Sequence, residues 1–595
     1  MPLAAAIRRE YVYLSHIVRT LWMLRRLKPH ATRTIVDIVE DQARRRPHAP
    51  ALIYQDSQLS YVRMNGRANA YAHWAIGRGL GQGDCVALLM ENRPDFICAW
   101  LGLFKAGMQA ALINTNLMGE GLAHSIALCG ARHVIVGVEL ADHVRSATFA
   151  DPPQAWVQGG EADGMNGLDA ALDAAGEAPV PRSARAGVTL QDRAFFIYTS
   201  GTTGLPKAAN FTHMRMLFMM YGFVGALSPR ASDRIYNPLP LYHSTGGVCA
   251  VGLAFLRGGA LIIKRKFSVH EFWSDIHHYQ ATIFEYIGEL CRYLLNQPES
   301  PLEKGHQVRV ITGNGLRPEI WREFQARFAI PRIVEFYGAT EGNVSMLNYD
   351  GTVGSVGRVP NYLQWLLPTR VMRFDVESEM PVRGDDGLCI ECGPDEVGET
   401  VGRISARAGR GFEGYSGNKT ASERKVLRDV MHKGDAWFRT GDLMRRDEHG
   451  YFYFVDRIGD TFRWKGENVA TGEVSGALGA VPGVREANVY GMKVPGVDGR
   501  AGMAAIVVDG DFDMGALPAH LAQRLPHYAW PIFLRLSPAI DVTGTFKQRK
   551  VDLVKDGFDP AAIADPIYWL DPDKGGYEIL TAARYADICE GRVKL

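Results

Sequence analysis

The sequence predicts an α/β protein: a large N-terminal domain of mostly parallel sheets flanked by helices, then a small α+β C-terminal domain. Three observations predict it. A helix–strand–turn grammar recurs through roughly the first 450 residues, the pattern of buried parallel sheets. A glycine- and hydroxyl-rich run, Tyr198–Lys207, follows the apolar strand-like stretch Ala194–Ile197. The composition then shifts near Asp456–Gly466, leaving a tail of about 130 residues, a common domain size.

Residues 1–34 form a basic amphipathic segment. Tyr11–Leu27 is apolar and aromatic but interrupted by Arg19, Arg25 and Arg26, so no apolar span approaches the ~20 residues a bilayer crossing needs. No small-residue cleavage site follows, which argues against a signal peptide. On a helix Leu14, Ile17, Val18 and Leu21 share one face, with Arg8, Arg19 and Arg26 on a neighbouring side. Two readings stay open: residues 8–28 lie in a membrane interface as a peripheral anchor, or the helix packs on the protein's own surface.

Residues 35–458 carry the large domain. Asn92-Arg93-Pro94-Asp95 opens a helix whose Phe96, Trp100, Leu103 and Phe104 recur at helical spacing, and Gly107 closes it. Met108–Ile113 is the next strand, running into Asn114-Thr115-Asn116. Residues 151–190, rich in Ala, Gly, Asp and Pro, read as a loosely packed surface connection. No internal repeat is evident. Residues 459–595 make the small domain.

Composition excludes some functions. Lys and Arg number 66 against 65 Asp and Glu, so the field that drives non-specific nucleic-acid binding is absent. Eight scattered cysteines, such as Cys98, Cys249 and Cys291 in apolar contexts, point to a reducing compartment and a cytoplasmic location. Attachment to the cytoplasmic face of a membrane is the alternative. Cys389 and Cys392 form a CxxC with no second pair nearby, read as part of a strand rather than a zinc site.

The chemistry concentrates in Tyr198-Thr199-Ser200-Gly201-Thr202-Thr203-Gly204-Leu205-Pro206-Lys207. Gly201 and Gly204 let the backbone approach an anion, amides and hydroxyls donate, and Lys207 adds positive charge. Ala208 follows Lys207 where a Walker loop needs Ser or Thr for a metal. The run resembles the phosphate loop of adenylate-forming (AMP-binding) enzymes: acyl-CoA synthetases, luciferases and peptide-synthetase adenylation domains. Further segments fall in that family's order: Leu239–His243, Gly313-Asn314-Gly315-Leu316, Phe336–Gly342, Thr440–Leu443, Asp456-Arg457 and Thr543–Lys547.

The resemblance implies roles. His243 orients the carboxylate and the thiol path; the aromatic gate that some long-chain relatives place four residues later is here Gly247, a departure. Gly313 and Asn314 supply contacts to adenine. Tyr337 lays its ring on the purine, Thr340 donates to the α-phosphate, and Glu341 is the hard oxygen ligand for Mg²⁺. Asp442 takes the ribose hydroxyls and Arg457 the ribose and phosphate. Lys547 is the adenylation lysine, although most relatives carry Gly directly before it and this chain carries Phe546. The small domain is expected to be mobile, swinging at Gly459 between two half-reactions.

Phe272-Trp273, Tyr286–Tyr293, Asp460–Val469 and Gly544-Thr545-Phe546-Lys547 narrow the resemblance to the fatty acid transport protein, or very-long-chain acyl-CoA synthetase, family. It implies ATP, Mg²⁺ and coenzyme A, with a long- or very-long-chain fatty acid as the other substrate. A ligase for a bile-acid-like, carnitine-like or aryl acid, and a fatty-acid carrier without strong catalysis, are the alternatives. Met214, Met216, Met219 and Met220 with Phe218 and Phe223 suit either an acyl pocket or a core helix. Oligomeric state is not encoded in any of these features.

Overall fold

The computed structural model describes residues 3–199, 205–339, 342–405, 411–412, 414–415, 419–497, 499–542, 548–593 and 595. The chain divides into two compact units: residues 1–316, 323–352 and 403–426, and residues 317–322, 353–402 and 427–595.

The first unit opens with helix α1 (Leu3–Leu24) and holds two sheets. One has the strand order Asn166–Gly167, Gln154–Gln158, His133–Gly137, Cys85–Leu89, Gln109–Leu112, β1 (Arg193–Thr199) and β2 (Lys207–Thr212). Every pairing in it is parallel except the β1–β2 hairpin. Cys85–Leu89 and His133–Gly137 are buried along their whole length, as strands covered on both faces must be. The helix Pro94–Lys105 starts on proline and is buried from Phe96 onward. The chain then enters helix α2 (His213–Leu227).

In the second sheet β3 (Ile283–Ile287), β4 (Val310–Asn314) and β5 (Ile333–Gly338) run parallel, side by side, with Arg234–Asn237 on the other side of β3. Antiparallel strands Ser345–Leu347 and Ser57–Ser60 close its two edges.

Residues 151–190 depart from the loose connection expected of them. Gln154–Gln158 extends the first sheet, Leu168–Ala175 is a helix, and Trp156, Val157, Leu168 and Leu172 are buried. Four well-placed apolar side chains anchor a strand one in from the sheet edge and the helix Leu168–Ala175, and the surrounding Ala, Gly and Asp dilute that pattern.

The second unit is built differently. Gly357–Arg358, β6 (Ala436–Arg446), β7 (Tyr451–Arg457), Val397–Arg403, Thr369–Asp375 and Met380–Pro381 share a sheet in which β6 pairs antiparallel with β7 and Thr369–Asp375 antiparallel with Val397–Arg403. The parallel grammar stops here because a short turn suffices. Asp447 accepts from the amides of His449 (3.0 Å) and Tyr451 (2.8 Å), and a hairpin needs no crossover helix. Cys389 packs with Met372, Val401, Leu427 and Trp437. The C-terminal part has a five-stranded sheet, Val484–Met492, Ala501–Val508, Phe533–Leu536, Ile567–Asp571 and Gly576–Ile579, over a core that includes Trp464, Leu478, Tyr490 and Phe533.

Candidate active site

The phosphate-loop run spans a hairpin. Thr199 of β1 lies opposite Lys207 of β2 in the antiparallel register, so the ladder clamps both ends of the loop. Ser200, Gly201, Thr202, Thr203 and Gly204 lie outside the described residues, as do Thr340, Glu341 and Lys547. Lys207 is half-buried with its ammonium 5.7 Å from the Tyr415 ring, and Ala209 bridges to Tyr415. Beyond β2, Thr212 caps α2 by accepting from the Arg215 amide at 3.2 Å. Arg215 sends its guanidinium to the carbonyls of Ala339 (3.0 Å) and Gly342. Those carbonyls flank Thr340 and Glu341, so one arginine ties the hairpin to the segment that carries both.

Four parallel strands bring the other first-unit residues to one sheet edge. Asn314 ends β4, Tyr337 is one residue from the end of β5, and the His243 segment follows Arg234–Asn237. In such sheets ligands bind at the carboxyl ends of the strands. The Gly313–Leu316 turn is held by Glu335, which accepts from the amides of Gly315 (3.2 Å) and Leu316 (2.8 Å) and from the Tyr286 hydroxyl (2.8 Å). Burial pushes the Glu335 carboxyl up to about 8. The segment before His243 hangs on Asn92, whose amide group donates to the carbonyls of Leu239 (2.8 Å) and Lys264 (3.0 Å) while its oxygen accepts from the Leu241 amide (2.8 Å). The His243 ring lies 4.6 Å from that of Tyr242, and the His243 carbonyl accepts from the Gly247 amide at 2.7 Å. A Cβ on Gly247 would overlap the Leu241 carbonyl oxygen, which explains why no aromatic side chain occupies this position.

The methionines divide by face. Met216 and Met220 are fully buried in the core. Met214, Phe218 and Met219 instead line a small cavity of about 60 Å³ with Arg215, Gly338 and Ala339. That volume holds a few water molecules.

In the second unit Asp442 and Arg457 face each other across β6 and β7, with Nε 3.9 Å from Oδ1. The Asp442 amide donates to Thr440 Oγ1 (3.1 Å), which donates to the Thr400 carbonyl (2.6 Å). Glu399, with no side-chain exposure, receives the Arg439 fork at 2.8–3.1 Å. Asp456 is buried and accepts from the Arg457 amide (2.9 Å), from the Thr471 amide and hydroxyl, and from Thr461 Oγ1 (3.2 Å). Burial raises its carboxyl against the pull of Lys550. Lys550 reaches Thr471 Oγ1 (2.6 Å) and Asp460 (3.1 Å). A cavity of about 520 Å³ opens beside Gly459, lined by Asp460, Arg463, Lys493, Arg500 and Lys550 among others. Val542 and Gln548 bridge each other, closing the segment that contains Lys547 at its base.

Comparison with known proteins decides the family. The AMP-binding enzyme model matches residues 39–389, and the AMP-binding enzyme C-terminal domain matches residues 473–547. Long-chain fatty acid transport protein 2 of Rattus norvegicus is 41% identical over 598 residues, covering 99% of this chain and 95% of the relative. The chain belongs to the AMP-binding enzyme family, in the branch of the long-chain fatty acid transport proteins. Its fold is that of adenylate-forming enzymes. The anthranilate CoA ligase AuaEII in complex with anthranoyl-AMP superposes with a TM-score of 0.76 at 22% identity, covering 91% of this chain and 100% of that one. A Mycobacterium tuberculosis fatty acyl CoA synthetase does so at 0.60 and 26%, covering 88% and 98%.

In this AMP-binding enzyme the residues that sequence reasoning missed are those that hold the motifs in place. Arg215, Asn92, Glu335 and Glu399 each act on a segment at least 19 residues distant, and Arg215 on one 124 residues away. Glu335 sits directly before Phe336–Gly342, and a carboxyl inside an apolar strand, Ile333-Val334-Glu335-Phe336, is the one signal that could have exposed it.

Proposed function

We propose that this AMP-binding enzyme joins a long- or very-long-chain fatty acid to coenzyme A through an acyl-adenylate, consuming ATP and releasing AMP and pyrophosphate. The observation that carries the reading is the convergence at one sheet edge of the Gly313–Leu316 turn, Tyr337 and the His243 segment, with the Lys207 hairpin tied to it through Arg215. A nucleotide lying on that edge has Tyr337 for its base and the hairpin for its phosphates. The fatty-acid substrate is supported by the named relative at 41% identity and by the Met214–Phe218–Met219 face, whose flexible side chains can part for an acyl chain.

The carboxylate oxygen attacks the α-phosphorus, forming one P–O bond as the bond to pyrophosphate breaks. Lys207, the hydroxyls and amides of Thr199–Gly204, and Lys547 neutralise the moving charge, each such contact worth roughly 3–4 kcal/mol. Asp442 holds the ribose hydroxyls and Arg457 the ribose and phosphate. The resemblance assigns Mg²⁺ to the Glu341 carboxylate, and one carboxylate, phosphate oxygens and water would suffice to hold that metal. When bound, Mg²⁺ offsets phosphate charge. In the second step the thiol sulfur attacks the acyl carbon, AMP leaves, and the thiol proton is released. Arg463, Lys493, Arg500 and Lys550 in the second-unit cavity suit the phosphates of coenzyme A.

A second reading, a ligase for a shorter or aryl acid, is favoured by the roughly 60 Å³ cavity, smaller than a long chain needs. One experiment separates them: thioester formation from acids of roughly C8 to C24 and aryl acids, with ATP and coenzyme A. Long saturated and monounsaturated acids are expected to give acyl-CoA, AMP and pyrophosphate. Activity confined to short or aryl acids supports the second reading, and no thioester from any acid supports a carrier.

A further inference from the structure

The N-terminal helix resolves its two readings by face. Tyr13, Ile17, Thr20 and Met23 are buried, and the His16 ring N–H donates to the Gly225 carbonyl of α2 at 3.0 Å. His16 also stacks on Tyr349, 5.4 Å between centroids. A Cβ on Gly225 would overlap the Thr20 hydroxyl, so the two helices touch backbone to side chain. α1 is part of the first unit's core, and Ile17 belongs to a different face from Leu14 and Val18.

The opposite face is apolar and uncovered. Ile7, Tyr11, Leu14, Val18 and Trp22 are 60, 73, 41, 62 and 53% exposed. Spaced by three or four residues, they form a stripe about 80° wide along the helix. Arg8, Arg25, Arg26 and Lys28 are exposed beside it, and the guanidinium groups of Arg25 and Arg26 lie 4.7 and 5.4 Å from the Trp22 ring. Residues 1–34 carry seven Lys or Arg and one acid, Glu10, which pairs with Arg9 at 3.2 Å. No helix among the described residues is long and apolar enough to cross a membrane.

We infer that the outer face of α1 is a docking surface for an anionic lipid membrane. Side chains of the stripe enter the headgroup region while the flanking cations meet lipid phosphates, and the helix lies flat because its inner face is fixed to the protein. A second copy of this chain is a poor occupant, since it would bring two cationic rims together. An aqueous phosphate would leave the apolar stripe uncovered.

The test uses the full-length protein and vesicles of phosphatidylcholine alone or with phosphatidylglycerol, without ATP or fatty acid, so it fails independently of the proposed ligase activity. Sedimentation with the anionic vesicles is expected, weakened by salt. Replacing the flanking cations (Arg8→Gln, Arg25→Gln, Arg26→Gln) should weaken it at least ~tenfold. Tyr11→Ser with Val18→Ser and Trp22→Ser should abolish it with an unchanged melting temperature, because those positions are exposed. Should that variant unfold, quenching of wild-type fluorescence by brominated acyl chains, lost in Trp22→Phe, decides in favour, and equal quenching in both decides against. No sedimentation of the wild type, equal binding by the cation variant and wild type, or a wild-type dimer dissolved by the apolar substitutions would overturn the inference.

Discussion

Glu335 in the first unit and Asp456 in the second are both buried carboxyls that organise a segment of the candidate site, and their electrostatic settings differ. Glu335 holds its turn through two backbone amides and a tyrosine hydroxyl, and among the described residues no cation pulls its carboxyl down from about 8. Asp456 is raised by burial too, but Lys550 opposes the shift and Asp460 competes for the same ammonium. Removing water from a carboxyl without a counter-charge favours the protonated form. The first arrangement fixes a turn in one geometry. The second joins two backbone amides and two hydroxyls to a carboxyl whose charge a neighbouring lysine supports. Burial thus keeps the carboxyl at the Gly313–Leu316 turn near its protonated form, while the one beside Gly459, the expected pivot, has a lysine to support its charge.

The largest expected effect tests whether Lys547 serves only one half-reaction. Lys547→Ala should lower acyl-adenylate formation by ~10³-fold or more, as removal of a charge-stabilising donor does, yet still convert supplied acyl-adenylate and coenzyme A to thioester. The ammonium matters only while carboxylate and phosphate are brought together. Single-turnover assays of each step would show the split, and equal losses in both would break the comparison.

Next is Glu335→Ala, which leaves the buried amide of Leu316 and the part-buried amide of Gly315 unpaired and should cost about 2–4 kcal/mol by chemical denaturation, with a raised KM for ATP. Glu335→Gln keeps an acceptor and should cost less. The two variants also test the pH dependence. An ordinary glutamate releases its proton near 4.5, and folded Glu335 holds it to about 8. Between those values the folded chain binds the extra proton, so this contribution to stability is full below about 4.5 and is lost as pH rises through about 8. Stability measured at several pH values should therefore fall more steeply between about pH 4.5 and 8 for the wild type than for Glu335→Gln. Parallel slopes would show that Glu335 is charged throughout.

These predictions rest on residues of unequal legibility. The alternating α/β class and the order of the nucleotide motifs could be read because each motif is a short local pattern whose chemistry is written in consecutive residues. The antiparallel sheet around β6 and β7 could not, since its partners are set by turns such as Asp447–Gly450 and not by a repeating helix–strand pattern. Residues 151–190 hid a strand behind alanine and glycine. The α1 stripe was half legible: the helical period showed an apolar side, but burial of Ile17 against exposure of Leu14 and Val18 depends on α2, some 200 residues on. Arg215, Asn92 and Glu399 are ordinary polar residues in sequence and acquire a role only when the fold brings a distant carbonyl or guanidinium to them.

Gly247→Ala should have a smaller effect, since its Cβ meets the Leu241 carbonyl and forces a local shift costing about 1–3 kcal/mol. It would displace the His243 segment and raise KM for the acid.

Gly459→Ala completes the comparison with the smallest effect. A Cβ at Gly459 meets nothing within 4 Å, and its φ lies outside the left-handed region. The described conformation therefore tolerates alanine, and stability should change by no more than about 0.5 kcal/mol. Acyl-adenylate formation should stay at the wild-type rate. If Gly459 is the pivot, it must visit other backbone conformations during the cycle, some of them easy for glycine and strained for alanine. Thioester formation from supplied acyl-adenylate should then slow by roughly two- to fivefold. Because the resting structure has room for the methyl group, any slowing has to arise in a conformation the chain adopts elsewhere in its cycle. An unchanged rate in that half-reaction would remove Gly459 as the pivot and place the bending elsewhere in the Asp456–Asp460 junction.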